Sequence, residues 1–332
     1  MTKSDIFVSV VAPLRNDADI ITDFINDVMI ILKDNYTNNE LVLIDDGSTD
    51  ETVQKIRESL SHHECIRLIR LSRNFGVELA ISAGLDSAIG DFVVIMLPNE
   101  DPPSKIPEMV TICQTGPGIV TGVRENRPIE PLWSRIGAKV FYWYIKKILE
   151  LNIPENSTLF RVLSRQAVNA IIQVRDRYRY IRLLSNYIGY AQTEFVYTTV
   201  NRSSHKKKRG FIQSLNLAID LIVAISAHPL RIVSIVGLCA GLLNLLYITY
   251  VIGIYLFKDQ VAEGWVTTNF QSAVMFFFIF VILTVLSEYV GRILEETRHR
   301  PLYYVLDEIN SSVLIANTER RNVVDLTGTV SE

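Results

Sequence analysis

Apolar and polar residues alternate between two patterns along residues 6–124. One pattern is a short apolar run, and the other is a longer segment in which apolar residues recur at helical spacing. The apolar runs predict five strands, Phe7–Ala12, Leu41–Ile44, Ile66–Leu71, Phe92–Leu97 and Ile119–Val123. The segments between them predict helices near residues 18–34, 50–60, 76–88 and 104–114. Because strands that alternate with helices form parallel sheets covered on both faces, we expect an α/β fold with a mostly parallel sheet.

Two later segments are long and uncharged. The runs Ile232–Phe257 and Trp265–Ser287 contain no Asp, Glu, Lys or Arg, and each exceeds the roughly 20 residues that cross a bilayer as a helix. The polar link Lys258–Gly264 joins them, which predicts a transmembrane hairpin, with two buried core helices as the alternative. Basic residues precede the first run at Lys206–Arg209 and follow the second at Arg292, so the positive-inside rule predicts that both termini are cytoplasmic.

The segment before the first uncharged run, residues 210–230, contains apolar residues near helical spacing, among them Phe211, Leu215 and Ile222. This pattern is typical of an amphipathic helix in the lipid headgroup layer, and a helix packed on the globular domain is an equal alternative. The predicted organisation is a cytoplasmic globular domain at 1–209, an interfacial helix at 210–230, a membrane domain at 231–290 with helices at about 232–257 and 265–287, and a cytoplasmic C-terminal segment at 291–332.

Composition narrows the class of protein. The chain has 332 residues, of which 48% are hydrophobic, and a net charge of −3, which excludes a wholly disordered chain. The same charge gives no global basic field, so nucleic acid is not expected as a partner. The three cysteines, Cys65, Cys113 and Cys239, lie too far apart for a disulfide framework or a zinc motif, which suits a reducing compartment.

Polar residues follow the predicted strands, at the edge where parallel sheets bind their ligands. The segments are Pro13–Asp17, Asp45–Asp50, Ser72–Gly76 and Leu97–Pro103. Taken alone, Asp45 and Asp46 have two interpretations: a turn that caps a helix, or carboxylates that accept hydrogen bonds from a nucleobase or ribose. The chain has no Gly-x-Gly-x-x-Gly or Walker loop, which disfavours dinucleotide binding and ordinary NTPase activity.

These segments resemble a known family. Val10–Pro13, Asp45–Asp50, Leu71–Gly76 and Asp101–Pro103 are similar to the nucleotide-sugar domain of family-two glycosyltransferases. Further along, Glu288–Arg292, the pair Glu295 and Glu296, and Arg300–Tyr303 resemble its polyprenyl-phosphate branch, which includes dolichyl-phosphate mannose synthase and the bactoprenol glucosyltransferases. The resemblance covers about residues 6–305, including both predicted membrane helices.

The resemblance implies a GT-A fold on the cytoplasmic face of a bacterial plasma membrane. Such enzymes move a sugar from a nucleotide diphosphate to polyprenyl phosphate, undecaprenyl phosphate in bacteria, with Mg²⁺ or Mn²⁺ at the diphosphate and often as homo-oligomers. It implies that the nucleotide sugar contacts Pro13, Asp17, Asp46 and Arg73. Arg161 and Arg202 are then the candidates for catalysis, and Arg202 with Lys208 the candidates for binding the acceptor phosphate.

Three segments depart from the family pattern. Leu97-Pro98-Asn99 stands where members carry an Asp-x-Asp metal motif, which leaves Asn99, Glu100 and Asp101 as candidate substitute ligands. Leu159 occupies the place of an acidic residue linked to catalysis, and His205 and Lys207 replace a Gly and a Ser/Thr near the acceptor.

Two hypotheses follow from these departures. The preferred one is an active membrane glycosyltransferase with an altered centre that works with or without a metal. The alternative is a catalytically silent paralogue that binds nucleotide and acts as a subunit of an active enzyme. A small transporter does not explain the strand-end motifs.

Overall fold

The structure is a computed structural model of the chain. It describes residues 3–116, 118–125, 156–174, 180–200, 202, scattered positions between 235 and 249, 264–297 and 301–311. The chain divides into two compact units, one of Met1–Lys208 with Pro301–Glu332 and one of Arg209–Arg300. The segment that follows the second unit along the chain therefore belongs to the first.

The described part of the first unit has a sheet of eight strands. The strands are β1 (Ser4–Leu14), β2 (Tyr36–Asp45), β3 (Ile66–Leu71), β4 (Phe92–Ile95), β5 (Ile119–Arg124), β6 (Ser157–Ser164), β7 (Gln192–Tyr197) and β8 (Val305–Asn310). The helices are α1 (Ile21–Asn35), α2 (Thr52–His62), α3 (Val77–Ser87), α4 (Ile106–Thr115), α5 (Arg165–Gln173) and α6 (Ile181–Tyr187), with a 3₁₀ turn at Pro103–Lys105 before α4. The five predicted strands and four predicted helices are all present, with ends shifted by a few residues.

The sheet is mixed but mostly parallel, in the order β7-β5-β6-β4-β1-β2-β3-β8. Strands β1 to β4 run parallel to one another, and β5 is parallel to β7. Strand β6 is antiparallel to both of its neighbours, and β8 is antiparallel to β3. The carboxyl ends of β1, β2 and β4 therefore meet at one edge of the sheet.

Both faces of the sheet are buried, as the alternation of strands and helices predicts. On β1, Val10 packs on the face covered by α1, α2 and α4, and Val11 packs on the face covered by α3, α5 and α6. Helix α1 buries residues spaced three or four apart, including Phe24 and Val28, because that spacing places them on one side of a helix. Helix α3 approaches β1 closely at Gly84, where a Cβ atom would collide with Val11 and with Ile44 of β2.

Strand β8 is an element that the sequence analysis did not predict. It pairs antiparallel with β3 along the edge of the sheet, and Ser311 extends the pairing by donating its N–H to Ile66 O at 2.9 Å. Ion pairs join the two strands, with Arg67 Nη2 and Arg70 Nη1 each 2.9 Å from a carboxylate oxygen of Glu308 and Asp307, respectively. The chain thus covers the β3 edge with its own later segment.

The second unit contains helix α7 (Trp265–Thr297). Its stretch Val274–Gly291 is, within the described residues, the one that is long and apolar enough to cross a membrane, and none of this stretch is buried. Most of the first predicted span lies outside the described residues. The positions described between 235 and 249 are helical, and a Cβ atom on Gly237 would lie 2.8 Å from Ile282 Cδ1 of α7. The predicted interfacial helix at 210–230 and Lys208 lie outside the described residues.

Candidate functional site

The loops that follow β1 and β2 are joined by hydrogen bonds at the carboxyl edge of the sheet. Asn16 donates its N–H to Ser48 Oγ at 3.0 Å, and its side-chain oxygen accepts the N–H of Thr49 at 2.8 Å. Asp17 donates its N–H to Thr52 Oγ1 at 2.9 Å. These contacts hold Asn16 at a φ of 54°, a conformation that Asn tolerates better than most residues. Hydrogen bonds therefore join the two loops into one surface.

Asp46 ties the end of β2 to the loop before α3. Its Oδ1 accepts the N–H of Phe75 at 2.6 Å, and its Oδ2 accepts the N–H of Gly76 at 2.9 Å. Burial raises the pKa of Asp46, and the two N–H donors and the nearby Arg15 oppose that rise. Each carboxylate oxygen keeps a further lone pair, so the group holds the loop and can still accept a ligand donor. Its binding role remains a prediction.

Gly47 allows these two loops to approach each other. It has a φ of +68°, and a Cβ atom there would lie 2.8 Å from the backbone of both Arg73 and Asn74. Both the backbone conformation and the close approach require glycine. Gly47, within the segment Asp45–Asp50 that the sequence analysis selected, therefore allows the loop 72–76 to lie against the end of β2.

Pro13 and Arg73, two further predicted contacts of the nucleotide sugar, lie at the same edge. Pro13 is a buried β1 residue that pairs with Ile44, beyond the point where β1 pairs with β4, so its missing N–H leaves no ladder bond unmade. Arg73 is exposed, and its guanidinium carbon lies 4.8 Å from the centroid of the Phe75 ring. The structure thus brings Pro13, Asp17, Asp46 and Arg73 to one edge of the sheet.

Asp101 closes the turn that follows β4. Its Oδ2 accepts the N–H of Leu97 at 2.7 Å, and its Oδ1 accepts the O–H of Tyr197 at 2.6 Å. The residue is 0% exposed, and burial raises its pKa to about 6. Burial also raises the pKa of the Tyr197 hydroxyl, and the neighbouring Asp101 carboxylate raises it further. Asp101 therefore holds the turn in place from inside the protein.

The other two candidate metal ligands in this turn differ in how their side chains are engaged. Asn99 donates from Nδ2 to Asp17 Oδ1 at 3.0 Å, and its Oδ1 is buried without a hydrogen-bond partner among the described residues. Glu100 forms an ion pair with Arg124. In the part of the chain that the structure describes, no three His, Cys, Asp or Glu side chains are grouped to hold a metal ion. Residues 97–101 therefore do not fit a divalent cation in this conformation.

Arg202, a candidate for catalysis and acceptor binding, packs against the same turn. Its Nη1 donates to the carbonyl oxygens of Pro98 at 3.1 Å and Asp101 at 3.4 Å, and its Nη2 lies 2.9 Å from Asp27 Oδ2. The side chain is 15% exposed. It borders a cavity of about 410 Å³ whose other lining residues lie on or just before α1. Arg202 thus holds the turn through its carbonyl oxygens, and a role in phosphate binding stays a prediction.

Arg161, the other catalytic candidate, lies inside the core. It is 1% exposed and donates to Ile181 O at 3.1 Å and to Ser185 Oγ at 2.7 Å. Burial, reinforced by the charge of Arg182, lowers the pKa of Arg161 to about 9. A phosphate cannot reach the guanidinium in this conformation. Lys208, the predicted companion of Arg202 at the acceptor phosphate, lies outside the described residues.

Two residues matter here that the sequence analysis did not select. Tyr197 comes from β7, and its contact with Asp101 joins positions 96 residues apart, so no local pattern announces it. Arg15 follows β1 in the loop already quoted, and it is exposed. Its guanidinium makes no hydrogen bond or ion pair with any residue that the structure describes. The sequence could have indicated Arg15 because it is the first residue after β1, at the edge where parallel sheets bind ligands.

Comparisons with known proteins agree with the resemblance. Residues 9–172 match the family model described as Glycosyl transferase family 2. An uncharacterised glycosyltransferase of Synechocystis sp. is 32% identical over 303 residues, which cover 90% of this chain and 95% of that one. The undecaprenyl-phosphate 4-deoxy-4-formamido-L-arabinose transferase of Pectobacterium carotovorum is 30% identical over 320 residues, covering 94% and 97%. A solved structure of glucosyl-3-phosphoglycerate synthase from Mycobacterium tuberculosis, in complex with Mn²⁺, UDP-glucose and phosphoglyceric acid, is 18% identical, with a TM-score of 0.47 over 66% of this chain and 78% of that one.

The fold and the strand-end loops are those of a GT-A-like α/β protein with a mostly parallel mixed sheet. The chain belongs to glycosyltransferase family 2 and is a glycosyltransferase. The recognition made from the sequence motifs is thereby confirmed.

Proposed function

We propose that this glycosyltransferase moves a sugar from a nucleotide-diphosphate donor to polyprenyl phosphate, undecaprenyl phosphate in bacteria, at the cytoplasmic face of the plasma membrane. The product would serve cell-surface glycan or lipid modification. The observation that carries the proposal is the similarity to the Pectobacterium undecaprenyl-phosphate transferase, which extends over 97% of that protein. A silent paralogue is not favoured, because the named relatives are transferases.

The donor is proposed to bind across the carboxyl ends of β1 and β2. Ligands of open parallel sheets bind at such edges, and this edge carries carboxylates that can accept hydrogen bonds from a nucleobase N–H and ribose hydroxyls. Asp46 and Asp17 are the proposed acceptors, with Pro13 shaping the floor and Arg73 at the surface of the neighbouring loop. The hydrogen bonds between the loops support this assignment because they fix the acceptors before a ligand arrives.

The acceptor is proposed to reach the site from the membrane surface. Helix α7 exposes large apolar side chains over most of its length, among them Phe276, Phe277 and Phe280. A continuous apolar surface of this size is unfavourable in water and is typical of a surface that contacts lipid. We propose that α7 and the helix around Gly237 form the membrane hairpin, with residues 210–230 in the headgroup layer and both termini cytoplasmic. Homo-oligomer formation is part of the proposal through the family alone.

In the proposed reaction an acceptor phosphate oxygen attacks the anomeric carbon of the donor sugar. A carbon–oxygen bond to the acceptor phosphate forms, the bond to the donor diphosphate breaks, and the nucleoside diphosphate leaves with the electron pair. The acceptor is already an anion, so it needs positioning by cations more than deprotonation. Arg202 and Lys208 are the proposed positioning cations, which requires Arg202 to exchange part of its present hydrogen bonding.

The proposed role of a divalent cation rests on the family and not on residues 97–101. When bound, Mg²⁺ or Mn²⁺ would neutralise charge on the donor diphosphate. Glu100 and Asp101 are occupied by other partners, and the amide oxygen of Asn99 is a single neutral ligand, so the proposed reaction has no step that depends on these residues as ligands.

Sugar transfer by the purified full-length protein in detergent tests the proposal. The protein is mixed with undecaprenyl phosphate and a panel of radiolabelled UDP- and GDP-sugars in Mg²⁺, Mn²⁺ or EDTA. We expect labelled lipid from one donor, and none when undecaprenol without its phosphate replaces the acceptor. A folded protein that binds nucleotide but makes no product from any donor would contradict the proposal in favour of the silent paralogue.

A further inference from the structure

The proposed donor brings a diphosphate to an edge of the sheet that is rich in acidic side chains. Asp17, Asp46 and Glu100 all lie in the loops at this edge. A diphosphate beside carboxylates requires a cation, because both groups are anions and repel each other. Since residues 97–101 do not fit a metal ion in this conformation, the positive charge has to come from elsewhere.

Most of the described arginines near this edge already have partners. Arg202 contacts Asp27 and two carbonyl oxygens, Arg124 pairs with Glu100, and Arg161 is buried in the core. Arg73 is exposed but its guanidinium lies over the Phe75 ring. A guanidinium with satisfied or buried donors contributes little to a new ligand until those contacts break.

Arg15 differs from these residues. It is exposed at the carboxyl end of β1, and its guanidinium forms no hydrogen bond or ion pair with the described residues. Its backbone is fixed, because its N–H donates to Asp17 Oδ2 at 2.9 Å and the next residue is bonded to the loop after β2. Arg15 and Asp46 each follow a residue of the paired positions Leu14 and Asp45, so both lie at the same part of the edge, and the charge of Arg15 opposes the rise in the pKa of Asp46.

We infer that Arg15 binds the diphosphate of the nucleotide donor and that its guanidinium supplies charge that the turn 97–101 cannot recruit through a metal ion. This inference rests on the proposed function, since it requires a nucleoside diphosphate at this edge. The planar guanidinium suits the task because it donates two parallel N–H bonds to phosphate oxygens.

Calorimetric titration of the full-length protein in detergent and EDTA tests the inference, with UDP and GDP compared with uridine and guanosine. We expect wild-type protein to bind one diphosphate in EDTA and to bind it more tightly than its nucleoside. Arg15→Gln should weaken diphosphate binding roughly tenfold or more, as the loss of charge-assisted hydrogen bonds does, and should leave nucleoside binding unchanged. Arg15→Lys should restore part of the loss.

Arg57→Gln is the matched control, because Arg57 is an exposed arginine of α2 whose nearest described carboxylate is Asp307, at 3.8 Å. It should bind like wild type. Unchanged diphosphate affinity in Arg15→Gln, an equal loss for the nucleoside, or wild-type binding that requires Mg²⁺ would each overturn the inference while the proposed donor stands. Failure of wild type to bind either nucleotide under any condition would overturn the inference and the proposed donor together.

Discussion

Asp101 is a carboxyl group without solvent contact, and its protonation state is coupled to the stability of the fold. Burial raises its pKa in the folded protein from an ordinary value of 3.8 to about 6. A raised carboxyl pKa means that the folded state binds a proton more tightly than the unfolded state between those two values. The contribution of Asp101 to the free energy of unfolding is therefore largest at acid pH and falls as pH rises from about 4 to about 6.

This linkage gives a prediction for Asp101→Asn. The free energy of unfolding of wild type should fall more steeply between pH 4 and pH 6.5 than that of the variant, and the difference should be at most about 3 kcal/mol, since two pKa units correspond to that amount. Denaturant unfolding of both proteins in one detergent, at several pH values, measures it. Tyr197→Phe removes a donor to the carboxylate, so its steep region should move to higher pH. Parallel curves for wild type and Asp101→Asn would contradict the coupling.

Substitution of Gly47 tests whether the close approach of the loop 72–76 to the end of β2 requires glycine. Gly47→Ala meets two costs, a φ of +68° and a Cβ atom 2.8 Å from the backbone of Arg73 and Asn74. Gly76→Ala is the matched comparison, because Gly76 has a φ of +98° and nothing within 4 Å of its added Cβ atom. We expect Gly47→Ala to lower the free energy of unfolding by about 2 kcal/mol or more, and by more than Gly76→Ala, since backbone strain alone costs about 1–3 kcal/mol. Denaturant titration of the two variants decides the order.

Strand β8 gives a prediction at the level of elements. A chain that ends after Arg300 lacks β8 and leaves the hydrogen-bonding edge of β3 exposed, which favours unfolding and pairing between molecules. A chain that ends after Ser311 keeps the strand and its last bond to Ile66. We expect the shorter chain to unfold at lower denaturant concentration and to elute as aggregate in size-exclusion chromatography, and the longer one to behave like the full chain. Equal behaviour of the two truncations would show that β8 adds no stability.

Strand β8 also shows which strands the sequence alone does not predict. Strands such as β1 and β2 are recognised from their apolar stretches, because both faces of the sheet are buried. The first half of β2 is missed because it carries the buried polar residues Asn38, Asn39 and Glu40. Strand β8 lies at the edge and carries Asp307 and Glu308, and its partner β3 is more than 230 residues earlier, so its own sequence has no comparable apolar run. The sequence also predicts the end of β4 two residues too late, because Leu97 is apolar but lies in the turn, where its N–H donates to Asp101.

The sequence predicts some features of the candidate site and not others. That Asp17 and Asp46 share one edge follows from the rule that parallel strands end together, which needs only the strand assignments. What each carboxylate contacts does not follow, because Asp46 is held by Phe75 and Gly76 and Asp101 by Tyr197, through contacts between distant segments. Arg161 illustrates the limit: a motif match selects it, and only the fold places it inside the core.

At the scale of the whole molecule, the chain joins a glycosyltransferase domain to an apolar second unit and then returns to the first unit through β8. Both attachments to the second unit, before residue 209 and after residue 300, therefore come from the same globular unit. If the second unit is a membrane hairpin, this connectivity requires both of its ends on one side of the bilayer. The link Lys258–Gly264 then lies on the opposite side.

Cysteine labelling of intact bacterial cells tests this topology. Cys65 and Cys113 are buried and Cys239 is exposed, so Cys239→Ser gives a suitable background for new cysteines. In that background Gln260→Cys should react with a membrane-impermeant maleimide in intact cells, because the positive-inside rule places the link outside the cytoplasm. Glu51→Cys, on the exposed surface of the globular unit, should react only after the cells are opened. Labelling of Glu51→Cys but not Gln260→Cys in intact cells would reverse the proposed orientation, and reaction of both only after opening would favour two helices that do not cross the membrane.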